Sequence, residues 1–194
     1  NIDNLSNVFI WSNNLTKIPF VINCVPDIIT LYSTFNGCES LTEIEPFGFI
    51  NVGGLPYTFV NCRMLTTEAI ETLFKNASFD DVQEAMEQNE YAGELNNTFE
   101  GCYSLRRLPM DLIRNLFNPN GDPGSSIYSN GFRECISLDE VVDLPVSNRE
   151  MCDDYFGEMA QNFYRLKDFT FETNEDGTPK TARWANQNLN LSEY

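Results

Sequence analysis

The chain contains no histidine among its 194 residues. That absence removes Ser-His-Asp and Cys-His catalytic machinery, HExxH zinc sites and the usual neutral-pH general base. Basic residues are scarce: 12 Lys and Arg stand against 29 Asp and Glu, a formal charge of -17. Such a surface repels phosphate backbones and anionic membranes, so neither nucleic acid nor membrane insertion is expected. No apolar run approaches the roughly 20 residues that span a bilayer. No CxxC pair accompanies the six cysteines, which argues against zinc. What remains is a chain with 42% hydrophobic residues, enough for a core without staples. It starts at Asn1 with no signal-peptide layout, which reads as a piece of a longer protein or a processed product.

A repeat is present. "TFNGCESLTEI" fills residues 34–44 and "TFEGCYSLRRL" fills residues 98–108. The shared pattern is an aromatic, then Cys, Leu and a further apolar residue, each three positions on. Copies are Phe35-Cys38-Leu41-Ile44, Phe99-Cys102-Leu105-Leu108 and Phe132-Cys135-Leu138-Val141. Phe59-Cys62-Leu65 begins the same way and then departs. Phe9-Ser12-Leu15-Ile18 and Ala160-Phe163-Leu166-Phe169 are weaker copies at the two ends. The first positions lie 26, 24, 40, 33 and 28 residues apart, so the shorter intervals approximate the unit and the longer ones carry insertions.

Such a unit cannot bury its apolar face alone; stacking gives each Phe, Cys and Leu an equivalent to pack on. The core is expected to comprise Phe35, Cys38, Leu41, Phe59, Cys62, Leu65, Phe99, Cys102, Leu105, Phe132, Cys135 and Leu138. "SLTEI"-type segments are expected as short parallel strands. "FNGC" and "FEGC" are expected as tight helical turns, relaxed by Gly37 and Gly101. Helical insertions are expected at about 68–90 and 110–117. In the first, Ser78 is placed to cap a helix over "SFDDVQEAM". "NPNGDPGSS" follows the second as a loop.

The pattern, with prolines at Pro19, Pro46, Pro109 and Pro145 after the strand positions, resembles the leucine-rich repeat of BspA-type surface proteins. The resemblance covers about residues 8–169. The closing stretch resembles segments of phage virion proteins that carry such repeats. It implies an α/β fold: a leucine-rich-repeat solenoid with short parallel strands, inserted helices and a small C-terminal β segment. The expected organisation is a solenoid over 1–169 and a non-repeat strand segment over 170–194, where "TFETNEDGT" suggests a hairpin.

The slot held by Cys38, Cys62, Cys102 and Cys135 holds Ser12 in the first copy and Phe163 in the last, which suits reduced packing residues rather than disulfides or metal ligands. The two positions after the repeat leucine form columns: Thr16, Thr42, Thr66, Arg106, Asp139 and Lys167, then Lys17, Glu43, Thr67, Arg107, Glu140 and Asp168. With strands stacked about 4.8 Å apart, these become side-chain ladders on an exposed face. Lys17, Glu43, Arg106, Arg107, Asp139, Glu140 and Lys167 are the candidate binding residues, with Arg106 beside Asp139 and Arg107 beside Glu140.

No catalytic residue, cofactor or metal is expected. Asn118, Asn120 and Asp122 have calcium-like spacing, but the glycine is misplaced and no terminal Glu follows. Asp80-Asp81 and Asp153-Asp154 are carboxylate pairs of the sort an acidic chain produces by chance. N-x-S/T triplets begin at Asn4, Asn14, Asn76, Asn96 and Asn190, and in an Asn-rich bacterial or viral chain carry no message. Tyr32, Tyr57, Tyr103 and Tyr128 are aromatics outside the repeat slots.

The resulting expectation is a non-catalytic structural or adhesive module on a virion or cell surface, or in an extracellular setting. Its partners would be structural proteins of an assembly, or a host-surface protein or glycan, with oligomer formation through the parent protein. The alternatives are a carboxylate-based glycan hydrolase and a bacterial cell-surface adhesin.

Overall fold

The computed structural model describes residues 4–23, 28–87, 93–117, 129–138, 140–144, 170–173, 175 and 179–185. The repeat copies form rungs, each a run of hydrogen-bonded turns. In the second rung the amides of Thr34, Asn36, Cys38 and Leu41 donate to the carbonyls of Leu31, Ser33, Phe35 and Cys38, three residues back. The amides that alternate with these around the ring point out of the rung. Those of Ser33, Phe35 and Gly37 donate to Pro56, Thr58 and Val60 of the next rung. The same three-bond row joins the first rung to the second, the third to the fourth and the fourth to the fifth, at 2.7 to 3.0 Å.

The "FNGC" stretch is therefore not the helical turn expected. Each rung instead holds two residues at positive φ, four apart: Asn7 and Trp11, Ser33 and Gly37, Tyr57 and Asn61, Asn97 and Gly101, Asn130 and Glu134. The two left-handed residues break any helical path, and every second amide turns to the same side, where a helix would turn all of them along its axis. Asn fills four of these places because its short polar side chain tolerates that region better than most.

Buried columns run through the stack. Phe35, Phe59, Phe99 and Phe132 are 0% exposed. Phe9, Phe35, Phe59, Phe99 and Phe132 stack nearly parallel, with successive centroids 5.5 to 5.8 Å apart. Offset ring pairs add about 0.5–1.5 kcal/mol each beyond burial. Leu5, Leu31, Leu55 and Leu95, each four residues before the ring, form another buried column. Cys38, Cys62, Cys102 and Cys135 are free and buried, and Leu41, Leu65, Leu105 and Leu138 are at most 1% exposed.

Strands occupy less of the chain than the repeat suggests. β1 (Lys17–Ile18) pairs in parallel with β3 (Glu43–Ile44). In the third rung the equivalent residues instead open α1 (Thr67–Leu73), because Thr66 accepts from the amide of Ala69 and caps it. In the fourth rung, residues 105–108 form no strand and Pro109 leads into α3 (Met110–Leu116). A second parallel sheet has β2 (Ile28–Thr30), β4 (Ile50–Gly54) and β5 (Ala77–Ser78) in the order β2-β4-β5. The described parts thus combine helices with short parallel strands in two small sheets, neither of them closed.

α1 buries Ile70 and Leu73 against the stack, and the following Phe74 meets Phe47 and Phe59 at ring-centroid distances of 5.5 and 6.2 Å. α2 (Asp80–Met86) contacts β4, and Gln83 donates to the carbonyl of Asn115 in α3. The amide of Asp80 donates to Ser78 Oγ at 3.3 Å. A third sheet is antiparallel: β8 (Pro179–Ala185) lies between β6 (Glu140–Leu144) and β7 (Thr170–Thr173). The strand expected as a parallel rung after Leu138 is therefore paired antiparallel with the C-terminal segment.

Candidate interaction surface

Lys17 and Glu43 sit opposite each other across β1 and β3, and Lys17 Nζ lies 2.6 Å from Glu43 Oε2. Both are exposed, and the hydrogen bond to Glu43, then its charge, raises the Lys17 pKa above 10.5. Beside them Thr42 uses both its amide and its hydroxyl to reach the carbonyl of Thr16.

Between this strand pair and α1 lies an open groove of about 330 Å³, lined by Lys17, Thr42, Glu43, Ile44, Glu45, Pro46, Glu68, Ala69 and Thr72. Its floor is part apolar and its rim carries three carboxylates and one ammonium. Glu68, at the start of α1, has its pKa held below 4.5, first by its own backbone N–H and further by the Thr66 hydroxyl and Arg107.

The second column departs from the ladder expected. Thr67 is buried, not exposed, because it is the first residue of a helix, and its hydroxyl donates to the carbonyl of Arg107. Arg107 turns its guanidinium to α1, in a fork on both oxygens of Glu71 and 3.3 Å from Glu68. The hydrogen bond to Glu71 is the main reason its pKa is raised. An insertion has replaced the neighbouring strand, and the arginine pairs with what took its place. Arg106 is exposed and engaged in a contact of its own. Asp139, Lys167 and Asp168 lie outside the described residues, as does the Glu140 side chain, so neither expected pairing with Arg106 or Arg107 is placed. Asn118, Asn120, Asp122, Cys24, Cys152, Asp153, Asp154 and Tyr128 also lie outside them.

Two charged columns escaped the sequence reading. At the position four after the ring, Glu39 lies 3.4 Å from Arg63, and the Arg63 guanidinium sits over the Tyr103 ring, 5.3 Å from its centroid. These are consecutive rungs, so an anion, a cation and a π face follow one another along the stack. One position after the ring, Glu100 lies 3.7 Å from Arg133 and takes a 2.6 Å bond from Asn97. The signal was available: these residues share a repeat position, just as the cysteines do. The Leu5-Leu31-Leu55-Leu95 column had the same signature.

Tyr32 is exposed and its ring lies 5.6 Å from that of Tyr57, so these two share one surface patch. Asp81 accepts from the side chain of Asn51, and Asp80 from Ser78, so the two carboxylates have separate structural partners. Among the described residues no group of three or more acids or cysteines is arranged to hold a metal ion, and no helix is long and apolar enough to cross a membrane.

No protein-family model, curated protein or solved structure matches the chain.

Proposed function

We propose that this chain is a non-catalytic structural or adhesive module whose rungs are successive coils of a BspA-type leucine-rich-repeat solenoid. In this reading it belongs to a virion, such as that of a phage, or to a cell surface, and contacts another protein or a glycan. The observation that carries the reading is the groove between β1, β3 and α1. It is open, and Lys17, Glu43 and Glu68 of its lining are held in ion pairs. Lys17 is bound to Glu43, and Glu68 is kept ionised beside Arg107. A glycan hydrolase needs a carboxyl that carries a proton at working pH. The described carboxyl whose pKa is raised, that of Glu94, is not among the groove's lining residues. A fixed array of paired charges over a dry stack suits recognition of a complementary surface, with specificity from charge placement.

The test is carbodiimide cross-linking of the native assembly that contains the chain, followed by peptide mapping. The expected result is a set of links from Lys17, Glu43 or Glu45 to a second protein, lost in Lys17→Glu. Recovery of the chain only as a free monomer that hydrolyses a soluble glycan would overturn the reading.

A further inference from the structure

The groove exists because a helix stands where a third strand would lie. Between the first and second rungs the amide of Thr42 donates to the carbonyl of Thr16, and β1 pairs with β3. Among the described residues no such bond joins the equivalent Thr66 to Thr42, because Thr66 caps α1 and the chain turns away into the helix. β3 therefore has α1, not a strand, on its second side. In a parallel pair alternate residues turn their backbone groups to the partner. The amides of Glu43 and Glu45 donate to Thr16 and Ile18 of the first rung, so the N–H and C=O of Ile44 lie on the side away from β1.

The charges of the lining do not balance. The carboxylates of Glu43, Glu45 and Glu68 stand against the single ammonium of Lys17. Lys17 is bound to Glu43, and Arg107, which approaches Glu68 at 3.3 Å, has its fork on Glu71. Glu45 is exposed and makes no ion pair among the described residues. Below this rim Ile44 is buried, and Pro46 and Ala69 are half-buried. No described acids are grouped to share a metal ion, and none of the lining residues is an aromatic on which a sugar could stack. An apolar floor under unmatched carboxylates fits a long aliphatic stem that ends in a cation.

We infer that the groove between β3 and α1 takes a lysine or arginine side chain from an extended, basic segment of a partner protein. The stem lies over Ile44, Pro46 and Ala69, and the charged head is held by Glu45 and Glu68. The main chain of the segment runs along the side of β3 to which Ile44 turns its N–H and C=O, as in strand addition. Charge complementarity selects this occupant. A neutral glycan gains nothing from the unmatched carboxylates, and a second copy of this chain brings a charge of -17 of its own. The inference rests on the reading of the chain as a protein-contact module and adds the chemistry of what the groove holds.

The probe is a blocked heptapeptide of alternating Val and Thr with a central Lys, compared with versions carrying Arg or the uncharged Met at the centre. Calorimetry with the whole chain at low salt is expected to show saturable binding of the Lys and Arg peptides, and binding of the Met peptide weaker by at least about fivefold. Glu45→Gln is expected to weaken the Lys peptide about three- to fivefold, and Glu45→Gln with Glu68→Gln at least about tenfold. Glu84→Gln, an equal charge change at an exposed site outside the groove, is expected to leave it unchanged. Thr72→Arg, which supplies a cation to the groove from an exposed position of α1, is expected to abolish binding. Absence of saturable binding, equal binding of the Met peptide, or an equal loss in Glu84→Gln would overturn the inference. So would saturable binding of a neutral oligosaccharide that Thr72→Arg removes. If the peptides fail while cross-links from Lys17, Glu43 or Glu45 to a second protein are found in the native assembly, the occupant is wrong and the module reading stands.

Discussion

Cys62 donates its S–H to the carbonyl oxygen of Phe35 at 3.1 Å, one rung back, and that oxygen already accepts the amide of Cys38. The same bond links Cys38 to Phe9, Cys102 to Phe59 and Cys135 to Phe99, each at 3.1 Å. A carbonyl has two lone pairs, and inside a dry stack a half-used one is a cost. Cysteine fills the slot because it is small enough to be enclosed and still carries a weak donor. Thr58 treats the carbonyl of Leu31 in the same way, at 2.7 Å.

The thiols should therefore be chemically silent in the folded state. Burial raises all four, Cys38 to about 11, and a thiol reacts only as its thiolate. Iodoacetamide at pH 8 is expected to leave Cys38, Cys62, Cys102 and Cys135 unmodified in native protein and to label all four in guanidinium. Rapid native labelling of Cys62 or Cys102 would contradict the burial.

The ring column makes a graded prediction. Phe59→Ala removes a ring stacked on both sides, and a cost of about 3–5 kcal/mol is expected. Phe9→Ala removes a partly buried ring stacked on Phe35 at the first rung and should cost clearly less. Urea unfolding of the two variants compares them directly; equal losses would show that the stack is not one continuous column.

Side chains and glycines alternate two positions after the ring. The Trp11 ring lies over Gly37 and the Asn61 side chain over Gly101, so a Cβ at either glycine would sit 2.5 Å from them. Both glycines also have positive φ. Gly101→Ala should lose about 1–3 kcal/mol of stability from strain and overlap together. Adding Asn61→Gly should recover part of it by removing the overlap. Additive losses in the double variant would show that contact with Asn61 is not the cause.

At Glu68 the sign of the pH effect follows from a folded-state pKa below its unfolded value of 4.5. Its contribution is fully present above that value and disappears as pH falls through the lower folded value. In Glu68→Gln, the midpoint of thermal unfolding at pH 7 should drop slightly relative to the parent and converge with it in acid, once the pH has fallen through the lowered folded-state pKa. A difference that persists unchanged in acid would mean the carboxylate charge is not responsible. Because Glu68 is largely exposed, raising the salt concentration should also shrink the difference.

Spacing in the sequence was enough to mark Phe, Cys and Leu as buried columns, since a slot that repeats the same residue types has the same surroundings each time. It also marked two helical insertions, at about 68–90 and, after Pro109, at about 110–117. What it did not mark was the path of the backbone between Phe and Cys. Gly37 reads equally well as part of a tight helical turn or of a left-handed turn, and only the amides bonded to the next rung decide between them. The strand face was misread for a related reason. Lys17 finds Glu43 because both rungs continue as strands, while Arg107 finds Glu71 because Thr66 starts a helix where the next strand would lie. Columns of side chains are local consequences of the repeat and can be read one residue at a time. The partner of a charge depends on which element occupies the adjacent place in space, and that is settled only when insertions of different lengths pack together.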